Sequence, residues 1–125
     1  MRGELVERLT GRKAKDLRVL ATFVHVFCQQ RHRGEPKEPF APEDPRVLAA
    51  AGGGRMLLCR ECTRLLQHGT AKLLLCPYDP KPMCKKCPTH CYAPFYRERV
   101  RQVMKFSGMH MMKRGRLDML FHYFF

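Results

Sequence analysis

Four cysteines, one histidine and four prolines fall within the seventeen residues 76 to 92, CPYDPKPMCKKCPTHCY. Proline fixes φ and removes a backbone donor, so this density excludes a helix and most of a sheet from the segment. A stretch that gathers thiols but cannot lean on a regular hydrogen-bond ladder needs another way to be held. Disulfides, a bound metal and a reactive thiol are the three alternatives.

The rest of the chain discriminates among them. No apolar run approaches membrane-spanning length, and the opening MRGELVERLTGRKAKD lacks the apolar region of a secretory signal. A cytoplasmic protein is expected, and in that compartment thiols stay reduced. Seven cysteines are also an odd number, which leaves a thiol over in any closed disulfide framework. Nothing in the pattern pairs a cysteine with a His and Asn around a cleft, and no βαβ pattern precedes a C-x2-C redox pair. Carboxylates are not paired for acid–base work but concentrate in a proline-rich stretch. A non-catalytic metal site is the reading that remains.

Ligand spacing supports it. Cys59 with Cys62 and Cys84 with Cys87 are two C-x2-C pairs separated by twenty-one residues. Such a pair lets two sulfurs converge on one ion from a tight turn, and two pairs make a tetrahedral set. Those four are expected to share one metal. Cys76, Cys91 and His90 lie inside or beside that span, and Cys28 with His32 stands at i, i+4 on one helical face. Nine candidates exceed what one ion takes, so one or two zinc ions are expected, with an iron–sulfur cluster as the alternative. Cys28 reads equally as a buried core thiol, and His32 as a solvated cation at a helix end. His25, His68, His110 and His122 carry no ligand signal beyond their type.

The fold class expected is mostly α: a small helical domain with an irregular cysteine-rich metal-binding loop region. Residues 1–125 read as one domain. A helix over 13–33 buries Leu17, Leu20, Phe23, Val24, Phe27 and Cys28, with Gly34 as a left-handed cap. Residues 34–57 form a Pro/Gly-rich linker without a convincing strand, and Gly52-Gly53-Gly54 reads as a flexible turn rather than a phosphate loop. Within the cysteine-rich region 58–92, a helix from about Glu61 to Leu75 buries Cys62, Leu65, Leu66, Leu73 and Leu74. Residues 94–125 hold the last helices. Pro94 opens one that faces Tyr96, Val100, Val103 and Met104 inward and ends at Gly108; another runs near Arg116 to Phe124.

Formal charge is +13, from 24 Lys+Arg against 11 Asp+Glu. Such an excess points to an acidic partner, most often nucleic acid. Residues 96–116 carry seven Lys+Arg against Glu98 alone, with Arg97, Arg101 and Lys105 in an outward row at spacing four. Weak, non-specific nucleic-acid binding is the expectation, because aromatics do not interleave with that row as stacking readers require. A protein partner is also open; a membrane is not expected.

LCRECTRLL at 58–66, CPYDPKPMCKKCPTHCYAP at 76–94 and RERVRQVM at 97–104 resemble the nitrous oxide-stimulated promoter family, the YgbA-like proteins. VFCQQRHRG at 26–34 is similar to that family's N-terminal Cys and His pattern, so the resemblance spans about residues 13–112. It implies a small bacterial cytosolic protein whose expression responds to nitrogen oxides and which helps cells tolerate nitric oxide. The family name describes how its genes are induced, and it implies no catalytic activity. Nitric oxide attacks metal thiolates and iron–sulfur clusters, which joins the implied role to the cysteines.

Overall fold

The computed structural model describes residues 11–52, 56–75, 94–113 and 115. Among them are helices α1 (Gly11–Arg31), α2 (Pro45–Ala50), α3 (Arg60–Leu75) and α4 (Pro94–Lys113), with two-residue strands β1 (Glu38–Pro39) and β2 (Leu57–Leu58). The mostly helical class is as expected. None of these helices is long and apolar enough to cross a membrane.

α1 is the central element and packs against α2, α3, α4 and β2. Its expected apolar positions are all buried, from Leu17 to Cys28, and Val19 and Ala21 join them on the flanks. That broad buried arc is what a helix needs when neighbours cover it on several sides. α3 returns Cys62, Leu65, Leu66, Leu73 and Leu74 to the same core. Phe23, fully enclosed, contributes roughly 1.5–3 kcal/mol by its burial alone.

α4 lays Val103 and Met111 into the core, with Tyr96, Val100 and Met104 half-buried behind them. It does not end at Gly108. The helix continues to Lys113, and Gly108 is buried inside it beside Ser107. Ser107 Oγ donates to the Phe23 carbonyl at 2.6 Å, tying α4 to the middle of α1. The cost of a mid-helix glycine is therefore set against tertiary packing that no local pattern displays. On the opposite edge, Arg99 pairs with Glu61 across α3 and α4, and His68 stacks on Tyr96 with ring centroids 3.9 Å apart.

The segment between α1 and α3 is more ordered than a linker. β1 pairs antiparallel with β2, Glu38 opposite Leu58 and Pro39 opposite Leu57. The Phe40 N–H donates to the Met56 carbonyl at 2.8 Å, extending the contact. Two residues are too few to leave an alternating pattern, and Pro39 needs no ladder donor at its position, so the strands escape sequence reading. Asp44 caps α2 by accepting from the Arg46 N–H at 2.8 Å, with Pro45 in the first turn. Phe40, Val47 and Met56 are buried and fasten the excursion to the core. Gly34 lies outside the left-handed region, so it is not the left-handed cap expected; Gly52, at φ 120°, does take a conformation that favours glycine. Gly53 and Gly54, and the helix expected near 116–124, lie outside the described residues.

Candidate metal centre

The antiparallel return of β2 has one chemical result: it delivers Cys59 to the C-terminal end of α1. The His32 N–H donates to the Cys28 carbonyl at 3.0 Å, which keeps helical register one residue past α1. Residues four apart in that register lie on one face, so Cys28 and His32 point the same way. Opposite them, Cys59 occupies the N-cap of α3, where its carbonyl accepts the Thr63 N–H at 2.9 Å. Its sulfur takes the role of the usual capping oxygen and accepts the Cys62 N–H at 3.5 Å. Cys62 follows in the first helical turn.

The ligand atoms of Cys28, His32, Cys59 and Cys62 all lie within 4.8 Å of one another. His32 Nδ1 is 3.4 Å from Cys59 Sγ and 3.4 Å from Cys62 Sγ. Cys28 Sγ accepts the Cys59 N–H at 3.3 Å. The three cysteines are unpaired thiols with at most 1% exposure, whereas His32 is only half-buried. These four residues can hold a metal ion.

Electrostatics without an ion are unfavourable to thiolates. Burial pushes the Cys28 thiol up, although the Cys59 N–H opposes it. Burial first, and then the neighbouring Cys28, drive Cys62 well above the ordinary thiol range. The positive end of α3 helps the ionised forms, but desolvation outweighs it. A cation supplied from outside reverses that balance, since metal ligation requires and stabilises the deprotonated sulfur.

Positioning groups surround His32. Lys37 Nζ donates to the His32 carbonyl at 2.5 Å and to the Glu35 carbonyl at 3.3 Å, closing the end of α1. The Phe27 ring meets the His32 ring edge-on, with centroids 5.4 Å apart. Neither residue was marked in the sequence as part of a site. A basic side chain near a helix C-terminus is the only signal that could have found Lys37.

Of the nine candidate ligands, four are thus brought together. The ambiguity over Cys28 has a double answer, because it is both fully buried and within reach of the other three. Cys59 and Cys62 were expected to share an ion with Cys84 and Cys87. Among the described residues they meet Cys28 and His32 instead, which gives the pair a full set of four donors. Cys76, Cys84, Cys87, His90 and Cys91 lie outside the described residues. The remaining described histidines stand apart from the group. Burial holds the pKa of His25 below the usual imidazole value, and burial with the Lys72 charge does so for His68. His110 stacks on Phe106.

Comparison with known proteins adds a family. The sequence profile described as nitrous oxide-stimulated promoter matches residues 11–124 of this chain. The chain is also similar to the uncharacterized protein YgbA of Escherichia coli strain K12, with 47% identity over 36 residues. That alignment covers 29% of this chain and 31% of the relative. No solved structure matches.

Proposed function

We propose, from the premise that this chain belongs to the nitrous oxide-stimulated promoter family, that it is a small zinc-thiolate protein of the bacterial cytoplasm. It acts in the nitric oxide and nitrosative stress response by binding and handling metal, without catalysing a reaction. The observation that carries this is the convergence of three buried thiols and one imidazole within 4.8 Å.

The dimensions favour one ion over a cluster at these residues. Zinc bonds of about 2.3 Å to sulfur and about 2.0–2.1 Å to nitrogen, at tetrahedral angles, separate neighbouring S and N donors by about 3.5 Å. The two sulfur–nitrogen separations here are 3.4 Å. An iron–sulfur cluster places its ligands on different irons with sulfides between them, which spreads the donors further than one shared ion does. Zinc would act here as a structural tie between α1 and α3, and its bound thiolates would be the chemically responsive part. Thiolates are the nucleophilic form of cysteine that reacts with oxidised nitrogen species.

The sequence leaves Cys76, Cys84, Cys87 and Cys91, with His90, for a second ion. Metal analysis and an absorption spectrum of anaerobically purified protein test the reading. One or two equivalents of zinc and no visible band are expected. Iron with acid-labile sulfide and a visible chromophore would replace zinc by a cluster, and a stable protein without metal would remove the reading altogether.

A second reading rests on α4. Arg97, Arg101 and Lys105 are exposed along it, which suits a zinc-stapled basic protein that binds nucleic acid or the ribosome through phosphates. A protein partner is compatible with either reading.

A further inference from the structure

The donors are not equivalent, and the difference lies in their hydrogen bonds. The Cys59 N–H is spent on Cys28 Sγ and the Cys62 N–H on Cys59 Sγ. Each of these amides serves the thiol before it in the chain, and the last thiol, Cys62, receives neither. Among the described residues, no backbone N–H reaches Cys62 Sγ, whose neighbour is the His32 Nδ1 that it shares with Cys59 Sγ. An N–H···S bond withdraws electron density from a thiolate and lowers its reactivity, as charge-assisted hydrogen bonds generally stabilise the anion they serve.

Access does not undo this ranking. The three cysteines are buried, and His32 is the half-exposed member of the set. Its Nδ1 stands 3.4 Å from both Cys59 Sγ and Cys62 Sγ. A swing of the imidazole would therefore uncover these two sulfurs, both of which its Nδ1 touches. Access admits two thiolates, and hydrogen bonding chooses between them.

On the reading that this centre holds zinc, we infer that Cys62 is the thiolate at which soft electrophiles enter, and that His32 is the gate. With a maleimide, the Cys62 sulfur lone pair forms a carbon–sulfur bond, the alkene electrons become an enolate, and water supplies the proton. With an S-nitrosothiol, the same lone pair takes the nitroso group. The donor's S–N bond breaks, and its sulfur leaves as a thiolate with the bonding pair. Either product is a poor ligand, so the zinc–sulfur bond is lost and the tie between α1 and α3 is released from the α3 side.

Zinc-loaded full-length protein, with zinc content measured first, is treated with substoichiometric N-ethylmaleimide. Zinc release is followed with a chromophoric chelator, and the modified peptides are quantified by mass spectrometry. Among Cys28, Cys59 and Cys62, modification of Cys62 is expected to be faster by about fivefold, the factor given by one hydrogen bond of ordinary net strength. Its time course should coincide with a phase of zinc release. Equal rates at the three sites, faster reaction at Cys28 or Cys59, or reaction at Cys62 without zinc release overturns the inference and leaves the metal centre standing. Absence of zinc in the starting protein removes the metal centre and the inference together.

Discussion

Replacement of Cys28 separates a ligand from a core thiol most sharply. In the absence of metal, Cys28→Val keeps an apolar group at a site with 0% exposure but takes away the acceptor of the Cys59 N–H. An amide orphaned in that way costs about 1–3 kcal/mol. Cys28→Ser retains an acceptor and should cost less on that count. With zinc the order of effects changes. Structural zinc contributes about 10–16 kcal/mol of apparent binding energy in small domains, so one ligand of four carries roughly 3 kcal/mol. Urea unfolding followed by helical circular dichroism, in excess zinc and in chelator, gives a zinc increment for each protein. Packing changes enter both conditions alike and cancel in each increment, and any second ion contributes equally to every protein and cancels in the difference between increments. Wild type should exceed both variants by roughly 3 kcal/mol in that increment. Equal increments for wild type and Cys28→Val would refute ligation by Cys28 and return it to the core.

Four further outcomes are expected. Thiols in the unfolded chain titrate near about 8.5, whereas burial raises Cys28 and Cys62 in the zinc-free fold. Zinc-free stability is therefore full below that value and falls as pH rises through it, because the unfolded chain loses protons first. The urea midpoint in chelator should drop between pH 7 and pH 10, and zinc addition at pH 7 should release protons to an indicator dye. Ser107→Ala removes the 2.6 Å bond to the Phe23 carbonyl. That carbonyl lies mid-helix and keeps its helical donor, so the loss should be about 0.5–1.5 kcal/mol in urea unfolding. If Arg97, Arg101 and Lys105 touch phosphates, duplex DNA binding should weaken with salt, and neutralising one should flatten the log–log slope by about one unit. A slope unchanged by all three substitutions would exclude that face.

The helices were legible because their apolar residues recur at three and four. Leu17, Leu20, Phe23, Val24 and Phe27 need no tertiary information to be assigned inward, and neither do Leu65, Leu66, Leu73 and Leu74. Helix ends were less so. Gly108 carries the local mark of a stop, yet Ser107 and the packing against α1 carry the helix past it. Gly34 carries the same mark, but α1 has already ended at Arg31. Candidate ligands were legible by type and spacing, and their grouping was not. A C-x2-C pair is a local fact, whereas the approach of Cys28 and His32 to it depends on how residues 34–57 turn back. That path is set by single buried anchors, Phe40, Val47 and Met56, and by a two-residue ladder. None of these repeats with a period.

The position of the donors along the chain has a consequence for biosynthesis. All four lie between Cys28 and Cys62, ahead of the residues that form α4. A nascent chain that has released α3 from the ribosome already presents the whole set, and domains assemble from the N-terminal side as they emerge. Closing a loop of this length onto one ion costs entropy that grows only slowly with loop size. The hypothesis that follows is one of sequence in time: the ion is captured first, and α4 docks onto a platform that the metal has already joined. Stalled nascent chains in zinc should then protect Cys59 from alkylation as soon as α3 is out, and protection that waits for α4 would reverse the order. On that hypothesis, cysteines synthesised later would meet a first centre already closed, and order of synthesis, and not affinity alone, would allot the first ion.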